Sequence, residues 1–415
     1  MAERREILEM WRRGQDASAV LATLVRVEGS SYRRPGARMY IQPTGYAGSI
    51  SGGCLEGEVA RKAAWIARHG AAVERYSTLY DEAAPADSRE IPYGLGCGGV
   101  LDLLLEPIAL PETQAMLLAL EAAERGAIFV SATLLPSGSV ANQKLVRAIL
   151  RKRSSKDTPD SSTPFFVSEN LDAAIQSALV TLAANATATE TVSITLDGAS
   201  RSVYVEEILP PQRLVVFGAG QDATPLVAMA HLLGWRVAVA DGRAWMAQPA
   251  RFPQAEQVLA LGEDAANLAD LGLTSDDAVA ILTHSFDQDR SLLRRLLPME
   301  LRYVGLLGAR NRSQLLLKEV AQQLGWTPEE CLRRVHAPIG LDLGGDSPQS
   351  VALTIMAEIQ AVLHRKAIAS RSMSEIELRM APSQPYVPTQ CPLDRSPAEL
   401  DPHPLQAIYA EPSAI

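Results

Sequence analysis

Cysteine is scarce. Cys54, Cys97, Cys331 and Cys391 are the four in 415 residues, too few for a disulfide scaffold, so free thiols and a cytoplasmic setting are expected. Long apolar runs are missing too. No stretch reaches the roughly 18 uninterrupted apolar residues of a membrane span. The opening MAERREILEMWRRG carries charges where a secretion signal needs an apolar core. Nor is there a basic excess: 39 Lys and Arg face 48 Asp and Glu, a formal net charge of -9. General nucleic-acid binding needs a basic footprint and is not expected, although a local basic cluster can still hold a phosphorylated small molecule. What remains is an ordinary globular composition, 47% hydrophobic and 21% charged. It is long enough for two or three domains with full cores.

The chain divides into a first domain over residues 1–210, a second over 211–370 and a proline-rich tail over 371–415. The first domain opens with a helical stretch and an apolar strand over 19–25. A run rich in glycine and arginine follows to Gly53, then a helix over 55–69 with apolar residues at helical spacing, then a glycine loop feeding a strand that ends at Pro107. Residues 108–210 show an alanine- and leucine-rich helix over 112–124, a strand over 127–135, another helix and strands near 191–196 and 202–208. They show no chemistry. The polar segment 151–164 reads as a loop or mobile insert. Pro210-Pro211 marks a boundary. Beyond it, apolar runs at 214–217, 236–240, 278–282 and 303–307 alternate with helical patterns, which predicts a parallel sheet covered on both faces. The tail is too polar and proline-rich to order itself alone and is expected to be extended or disordered. The fold class is therefore α/β: an N-terminal α+β domain with glycine-rich loops, then a Rossmann-like doubly wound parallel sheet.

After the strand at 214–217 stands Gly218-Ala219-Gly220-Gln221-Asp222-Ala223, a G-x-G-x-x-A pattern before a helix. Asp241 closes the next strand about 20 residues on, where a Rossmann unit recognises a ribose hydroxyl. Glycines let backbone approach a phosphate, and the helix N-terminus offers unpaired N–H groups. Without a ligand, the same residues make a tight strand–helix turn. Arg243 either faces a phosphate or ends the strand as a solvated charge. Gly308 and Arg310, in G-L-L-G-A-R-N-R, suggest a second anion site at the same edge. His284, in T-H-S-F-D, ends another strand at the edge where open α/β sheets bind ligands, though a structural histidine fits equally.

Two cysteines sit in glycine loops. Gly52-Gly53-Cys54-Leu55-Glu56 puts Cys54 at the start of a helix, where a thiolate is favoured. Gly96-Cys97-Gly98 leaves Cys97 open to close approach. Each is either a small packed residue or a reactive thiol. Their spacing is not a zinc pattern. Arg33, Arg34 and Arg38 surround a Pro-Gly turn. They form either a phosphate-binding loop, since arginine suits bidentate recognition, or a solvated charge run.

Together, S-Y-R-R-P-G-A-R-M, G-S-I-S-G-G-C-L-E-G-E-V, G-L-G-C-G-G, V-F-G-A-G, V-A-V-A-D-G-R, Y-V-G-L-L-G-A-R and P-I-G-L-D-L-G-G-D-S-P-Q-S-V-A-L-T-I-M-A-E-I resemble the XdhC/CoxI family, accessory proteins of xanthine dehydrogenase and related molybdenum hydroxylases. The resemblance covers most of 23–107 and 213–366, little of 108–210 and none of the tail. It implies a maturation chaperone that binds the molybdenum cofactor, a phosphorylated pterin dithiolene in mononucleotide or dinucleotide form. Such a chaperone protects the cofactor while a cysteine desulfurase supplies sulfur, then delivers it to an apo molybdenum hydroxylase. A homo-oligomer, a dimer, is expected.

On this reading Arg33, Arg34, Arg38, Gly52, Gly53, Cys54, Glu56, Gly96, Cys97, Gly98, Gly218, Gly220, Asp241, Arg243, His284, Gly308 and Arg310 bind cofactor, with no catalytic residue. Cys54 and Cys97 are candidate molybdenum ligands or a sulfur relay, since soft metals suit thiolates. The ligand would lie in a cleft between the glycine loops and the Rossmann edge. Two positions depart from the family pattern. Gln221 stands where a histidine commonly follows G-A-G, and Ser285-Phe286 replaces Asp-His after His284, which points to altered binding or a different client. The alternatives are an NAD(P)-dependent oxidoreductase, which is disfavoured because the first half shows no proton-transfer set such as Tyr-x-x-x-Lys, and a non-catalytic nucleotide sensor.

Overall fold

The computed structural model describes residues 2–14, 16–53, 55–77, 91–92, 99–136, 144–152, 163–196 and 198–366. Most of the 151–164 insert and the whole 371–415 tail lie outside the described residues.

The first helix, α1 (Ala2–Arg13), buries Ile7, Leu8 and Trp11 and leaves its charges outside, the amphipathic pattern of a surface helix. Strands β1 (Val20–Gly29), β2 (Arg38–Gln42), β3 (Gly45–Gly48), β4 (Ala72–Ser77), β5 (Ile91–Pro92) and β6 (Gly99–Pro107) form a six-stranded sheet in the order β3-β2-β1-β6-β4-β5. It is antiparallel except at β4–β5. Helix α2 (Glu56–Ile66) covers one face with Val59 and Ala63. The arginine-rich run to Gly53 thus contains a hairpin, β2–β3, that its composition conceals.

A second, antiparallel sheet of β7 (Ile128–Leu134), β8 (Val146–Lys152), β9 (Thr163–Val167), β10 (Glu190–Leu196) and β11 (Ala199–Ile208) runs β10-β11-β7-β8-β9. Helix α3 (Pro111–Glu124) starts with proline in its first turn, where the missing N–H is harmless. Together with α1 it fills the core between the sheets through Met116, Leu117 and Leu120. Helix α4 (Ala173–Asn185), capped by Asp172 accepting from the Ala174 N–H at 2.7 Å, covers the outer face.

Buried charges also tie the sheets together. Arg147 on β8 pairs with Glu106 on β6 at 2.8 Å and donates to Thr133 Oγ1 and the Glu112 carbonyl. Arg38 on β2 forms a two-point pair with Glu206 on β11. Burial alone would lower the Arg38 pKa, but the Glu206 carboxylate raises it, so the charge stays.

Past Pro210-Pro211 the chain enters a five-stranded parallel sheet of β12 (Arg213–Phe217), β13 (Arg236–Asp241), β14 (Gln257–Ala260), β15 (Ala278–Ile281) and β16 (Tyr303–Leu306), ordered β14-β13-β12-β15-β16. Residues 214–217, 237–240 and 278–281 of its central strands are all apolar because both faces are covered. Helices α5 (Ala223–Leu232) and α9 (Pro348–Leu363) pack on one face. Helices α6 (Phe286–Leu296), α7 (Arg310–Leu324) and α8 (Pro328–Leu332) cover the other, where Cys331 is buried. The α/β class with a doubly wound second half is thus observed.

Arg147→Ala is expected to cost roughly 3–5 kcal/mol in urea unfolding, because it strands a buried Glu106. The double change Arg147→Met with Glu106→Gln should recover most of that. Equal losses in the single and double variants would show that the ion pair is not what the site depends on.

Candidate functional site

The strand order reverses between β12 and β15, and open α/β sheets bind ligands outside the carboxyl ends of strands at such a point. Gly218 leaves β12 with φ +113°, and a Cβ there would lie 2.4 Å from the Leu282 carbonyl oxygen. Only glycine lets the two strand ends approach this closely. A Cβ on Gly220 would meet nothing within 4 Å, so this turn opens outward.

Asp241 at the end of β13 is buried and organises the turn. Its Oδ2 accepts from the Ala219 N–H at 2.7 Å and from Arg243 Nη2 at 2.8 Å, and its Oδ1 accepts from the Arg243 N–H and Nε. Burial pushes the carboxyl pKa up, but these donors outweigh it and hold it below the usual range. Arg243 itself is 41% exposed. The carboxylate expected to meet a ribose hydroxyl therefore already has donors on both oxygens, and the guanidinium beside it reaches solvent.

Across the crevice, His284 has φ +59°, rare for a residue with a Cβ. Its Nε2 lies 3.0 Å from Asp222 Oδ2 and its side chain is 61% exposed. Behind it, buried Asp289 accepts from Thr283 Oγ1 at 2.5 Å and pairs with Arg312 at 2.6 Å. Burial pushes the Asp289 pKa up even against these donors. Gly308, with φ +146°, stands by Arg312, and Arg310 opens α7. Gly218, Gly220, Asp241, Arg243, His284, Gly308 and Arg310 thus all lie along one sheet edge, as expected. Asp289 matches the aspartate that follows in the family pattern and Arg312 is the second arginine opening α7, but the His284–Asp222 and Asp289–Arg312 pairings are not legible in the sequence, which has nothing that pairs these residues.

The N-terminal loop is built differently. Glu56 Oε1 accepts from Ser49 Oγ and the N–H groups of Ile50, Ser51 and Gly52; Oε2 accepts from Ser51 Oγ and the N–H groups of Gly53 and Leu55. Gly52 and Gly53 reach these positions with φ of +102° and +113°. Successive glycine amides wrapped on an anion form a nest, and here the anion belongs to the chain. Burial pushes the Glu56 pKa up, yet the serine and amide donors hold it down at about 2. Glu56 therefore serves as the loop's internal anchor and not as the ligand contact expected of it. Cys54, Gly96, Cys97 and Gly98 lie outside the described residues. Among the described residues, no group of three or more His, Cys, Asp or Glu is arranged to hold a metal.

The arginine loop is not one cationic surface either. Arg38 is 8% exposed and bound to Glu206, and Arg33 bonds Glu3 on α1. The phosphate role expected of Arg38 is thereby corrected: the buried Glu206 carboxylate turns its guanidinium inward. Contacts between the two halves gather at the other end of the parallel sheet. Arg5 donates to the Gly234 and Trp235 carbonyls ahead of β13, and within the first half Arg4 of the same helix donates to the Leu209 carbonyl just before the Pro210-Pro211 boundary. A large cavity of about 800 Å³ lies there, lined by Arg213, Trp235, Arg236, Asp277 and Arg302. It contains none of the expected ligand residues.

The comparisons with known proteins agree with the Rossmann-like second half. A family model described as the XdhC Rossmann domain matches residues 214–359, and one described as the XdhC and CoxI family matches residues 11–77. The chain belongs to the XdhC and CoxI family. It is 29% identical over 357 residues to a probable xanthine dehydrogenase subunit of Bacillus subtilis, covering 84% of this chain and 94% of that one. It is 25% identical over 350 residues to the molybdenum cofactor insertion chaperone PaoD of Escherichia coli, covering 84% and 85%. A crystal structure described as a xanthine dehydrogenase from Bacillus halodurans superposes with a TM-score of 0.67 at 27% identity, covering 91% of this chain and 99% of that one. Among the described residues, no helix of this XdhC-family chain is long and apolar enough to cross a membrane.

Glu56→Gln keeps the shape but removes the charge that the loop amides solvate. A carboxylate with a depressed pKa stabilises the fold fully above the ordinary glutamate range and loses that contribution as pH falls toward about 2. The variant should therefore lose roughly 1–3 kcal/mol at pH 7, and its deficit should shrink as pH drops below about 4. Thermal unfolding across this range measures both; a deficit constant with pH would remove the charge from the argument.

Proposed function

We propose that this protein binds a phosphorylated molybdenum cofactor as cargo at the carboxyl edge of the parallel sheet and delivers it to an apo molybdenum hydroxylase. The observation that carries this reading is the Gly218–Gly220 turn, open above Gly220, with Arg243 held beside it by Asp241. An open glycine turn at a helix N-terminus admits a phosphate, and an anchored guanidinium adds a bidentate donor. Alignment of 84% of the chain with a molybdenum cofactor insertion chaperone supports the cargo and the class of client.

The finer steps rest on the N-terminal loop. Glu56 anchors residues on both sides of Cys54, which suits a thiol that must meet a soft metal or a sulfur donor. Sulfur supply by a cysteine desulfurase, with Cys54 and Cys97 as ligands or relay, belongs to the same proposal, as does a homodimer. The oxidoreductase alternative is weakened at Asp241. Both its oxygens already accept protein hydrogen bonds, leaving the ribose diol of a nicotinamide nucleotide without the acceptor that such a fold normally offers.

Gly220→Val is expected to keep the wild-type melting temperature, since nothing within 4 Å opposes the new side chain. It should also lose the molybdenum and pterin that wild-type protein retains from a molybdenum-replete host, and fail to activate an apo-hydroxylase. Retention by the variant equal to wild type would move the cargo away from this edge. Wild-type oxidation of NAD(P)H that is lost in Asp241→Ala would replace the chaperone with an oxidoreductase.

A further inference from the structure

Trp245, beside the Arg243 of the cargo reading, is a feature which that reading does not assign. The loop after β13 runs past Gly242 to the 3-10 turn Pro249–Arg251, and Trp245 stands on it 70% exposed. A large aromatic left this open costs hydrophobic free energy unless something covers it. The Arg243 guanidinium lies 5.8 Å from the ring centroid, within cation–π range.

The loop is fixed in place. The N–H groups of Met246 and Ala247 donate to the Arg243 carbonyl. Arg251 Nη1 donates to the Ala219 carbonyl at 2.7 Å and to the Met246 carbonyl at 3.0 Å. Ala219 thus gives its N–H to Asp241 and its carbonyl to Arg251, so the tryptophan loop and the glycine turn are joined on both sides of one residue. A guanidinium anchored from behind by a buried carboxylate and an exposed indole on the same short loop present a charge and a flat face together.

We propose that Trp245 and Arg243 form a subsite for a flat heteroaromatic ring that carries a phosphate ester, with the ring stacked on the indole and the phosphate on the guanidinium. The inference deepens the cargo reading and rests on the carboxyl edge being the cargo's seat. A pterin phosphate and a nucleotide share this chemistry. The engagement of Asp241 sets the preference: the site favours the phosphate, since the acceptor that would recognise a bare diol is already satisfied.

Molybdenum-free probes test the subsite separately from the cargo. Cytidine 5′-monophosphate, cytidine, a pterin phosphomonoester and the same pterin without phosphate are titrated against full-length protein by equilibrium dialysis, with inorganic phosphate as competitor and tryptophan emission as a second readout. Wild type should bind at least one phosphorylated ring about tenfold more tightly than its unphosphorylated partner. Trp245→Ala should weaken that probe about tenfold, whereas Trp245→Phe should stay within about threefold, since a flat face is what stacking needs. Arg243→Lys, which keeps a positive charge beside Asp241, should lose most of the phosphate preference because it loses the bidentate fork.

The pterin and nucleotide arms show which source supplies the ring. Failure of every probe to bind wild type, or unchanged binding in Trp245→Ala, overturns the subsite. Molybdenum content of wild-type protein is measured in parallel. Probe binding with no retained molybdenum would leave the subsite standing and overturn the cargo reading; retained molybdenum with unchanged probe binding in Trp245→Ala would do the reverse.

Discussion

Tight glycine turns expose consecutive peptide N–H groups that have no strand or helix partner, and such groups must find an acceptor when buried. In this chain the acceptor is twice a carboxylate from the protein itself. Glu56 gathers five amides and two serine hydroxyls around the N-terminal loop. Asp241 takes the Ala219 amide and three donors of Arg243 at the parallel sheet. The consequence differs at the two places. At the first, the loop amides already hold an anion, so they are not free to receive one from a ligand. At the second, the carboxylate is neutralised by an arginine that still reaches solvent, so the edge as a whole can receive an anion.

Helix α1 joins the N-terminal half to the opposite end of the parallel sheet. Glu3 holds Arg33 of the loop before β2, Arg4 reaches the Leu209 carbonyl, and Arg5 reaches the carbonyls of Gly234 and Trp235. One amphipathic helix thus contacts the first sheet and the second domain with adjacent residues. Its anchor on the second domain lies at the amino ends of the parallel strands, whereas Gly218, Asp241 and His284 lie at the carboxyl ends. The junction cavity and the glycine turn therefore occupy opposite edges of one sheet, and the cleft expected between the glycine loops and the Rossmann edge is not where the large cavity lies.

Strand direction was also what made the second half legible. Runs such as Leu214–Phe217 are apolar because both faces of a parallel sheet are covered, and that signal survives in four residues. Helices α1 and α2, with an apolar stripe, and α3, rich in alanine and leucine, were equally visible. Strands β2, β3, β4, β8, β9 and β14 were not, because they are short or carry charges. In Arg38 and Arg147 the charge points inward to a carboxylate distant in the chain. No local pattern separates such an arginine from a solvated one. The partners Glu206 and Glu106 are 168 and 41 residues away in sequence, so only the packing of one sheet against the other brings them together. The same limit explains Glu56, whose role depends on loop curvature, and Trp245, whose exposure no motif announces.

The departures from the family pattern also take on physical meaning. Ser285 and Phe286 stand where the pattern commonly has an acid and a histidine. Ser285 caps α6 by accepting from the Gln288 N–H. The Phe286 ring lies within 6 Å of both Arg290 and Arg312, and Arg312 in turn holds buried Asp289. These residues cap the start of α6 and set a ring beside arginines of α6 and α7, tasks that need no metal-binding nitrogen. His284 keeps its strained backbone, a geometry that persists only where surrounding structure enforces it, and its ring is steered toward Asp222. With Gln221 in the other histidine position, the crevice has one imidazole, oriented by a carboxylate at the start of α5. What this edge can offer a ligand is therefore an open glycine turn, an anchored guanidinium and a flat indole, a set suited to a phosphate and a ring more than to a metal.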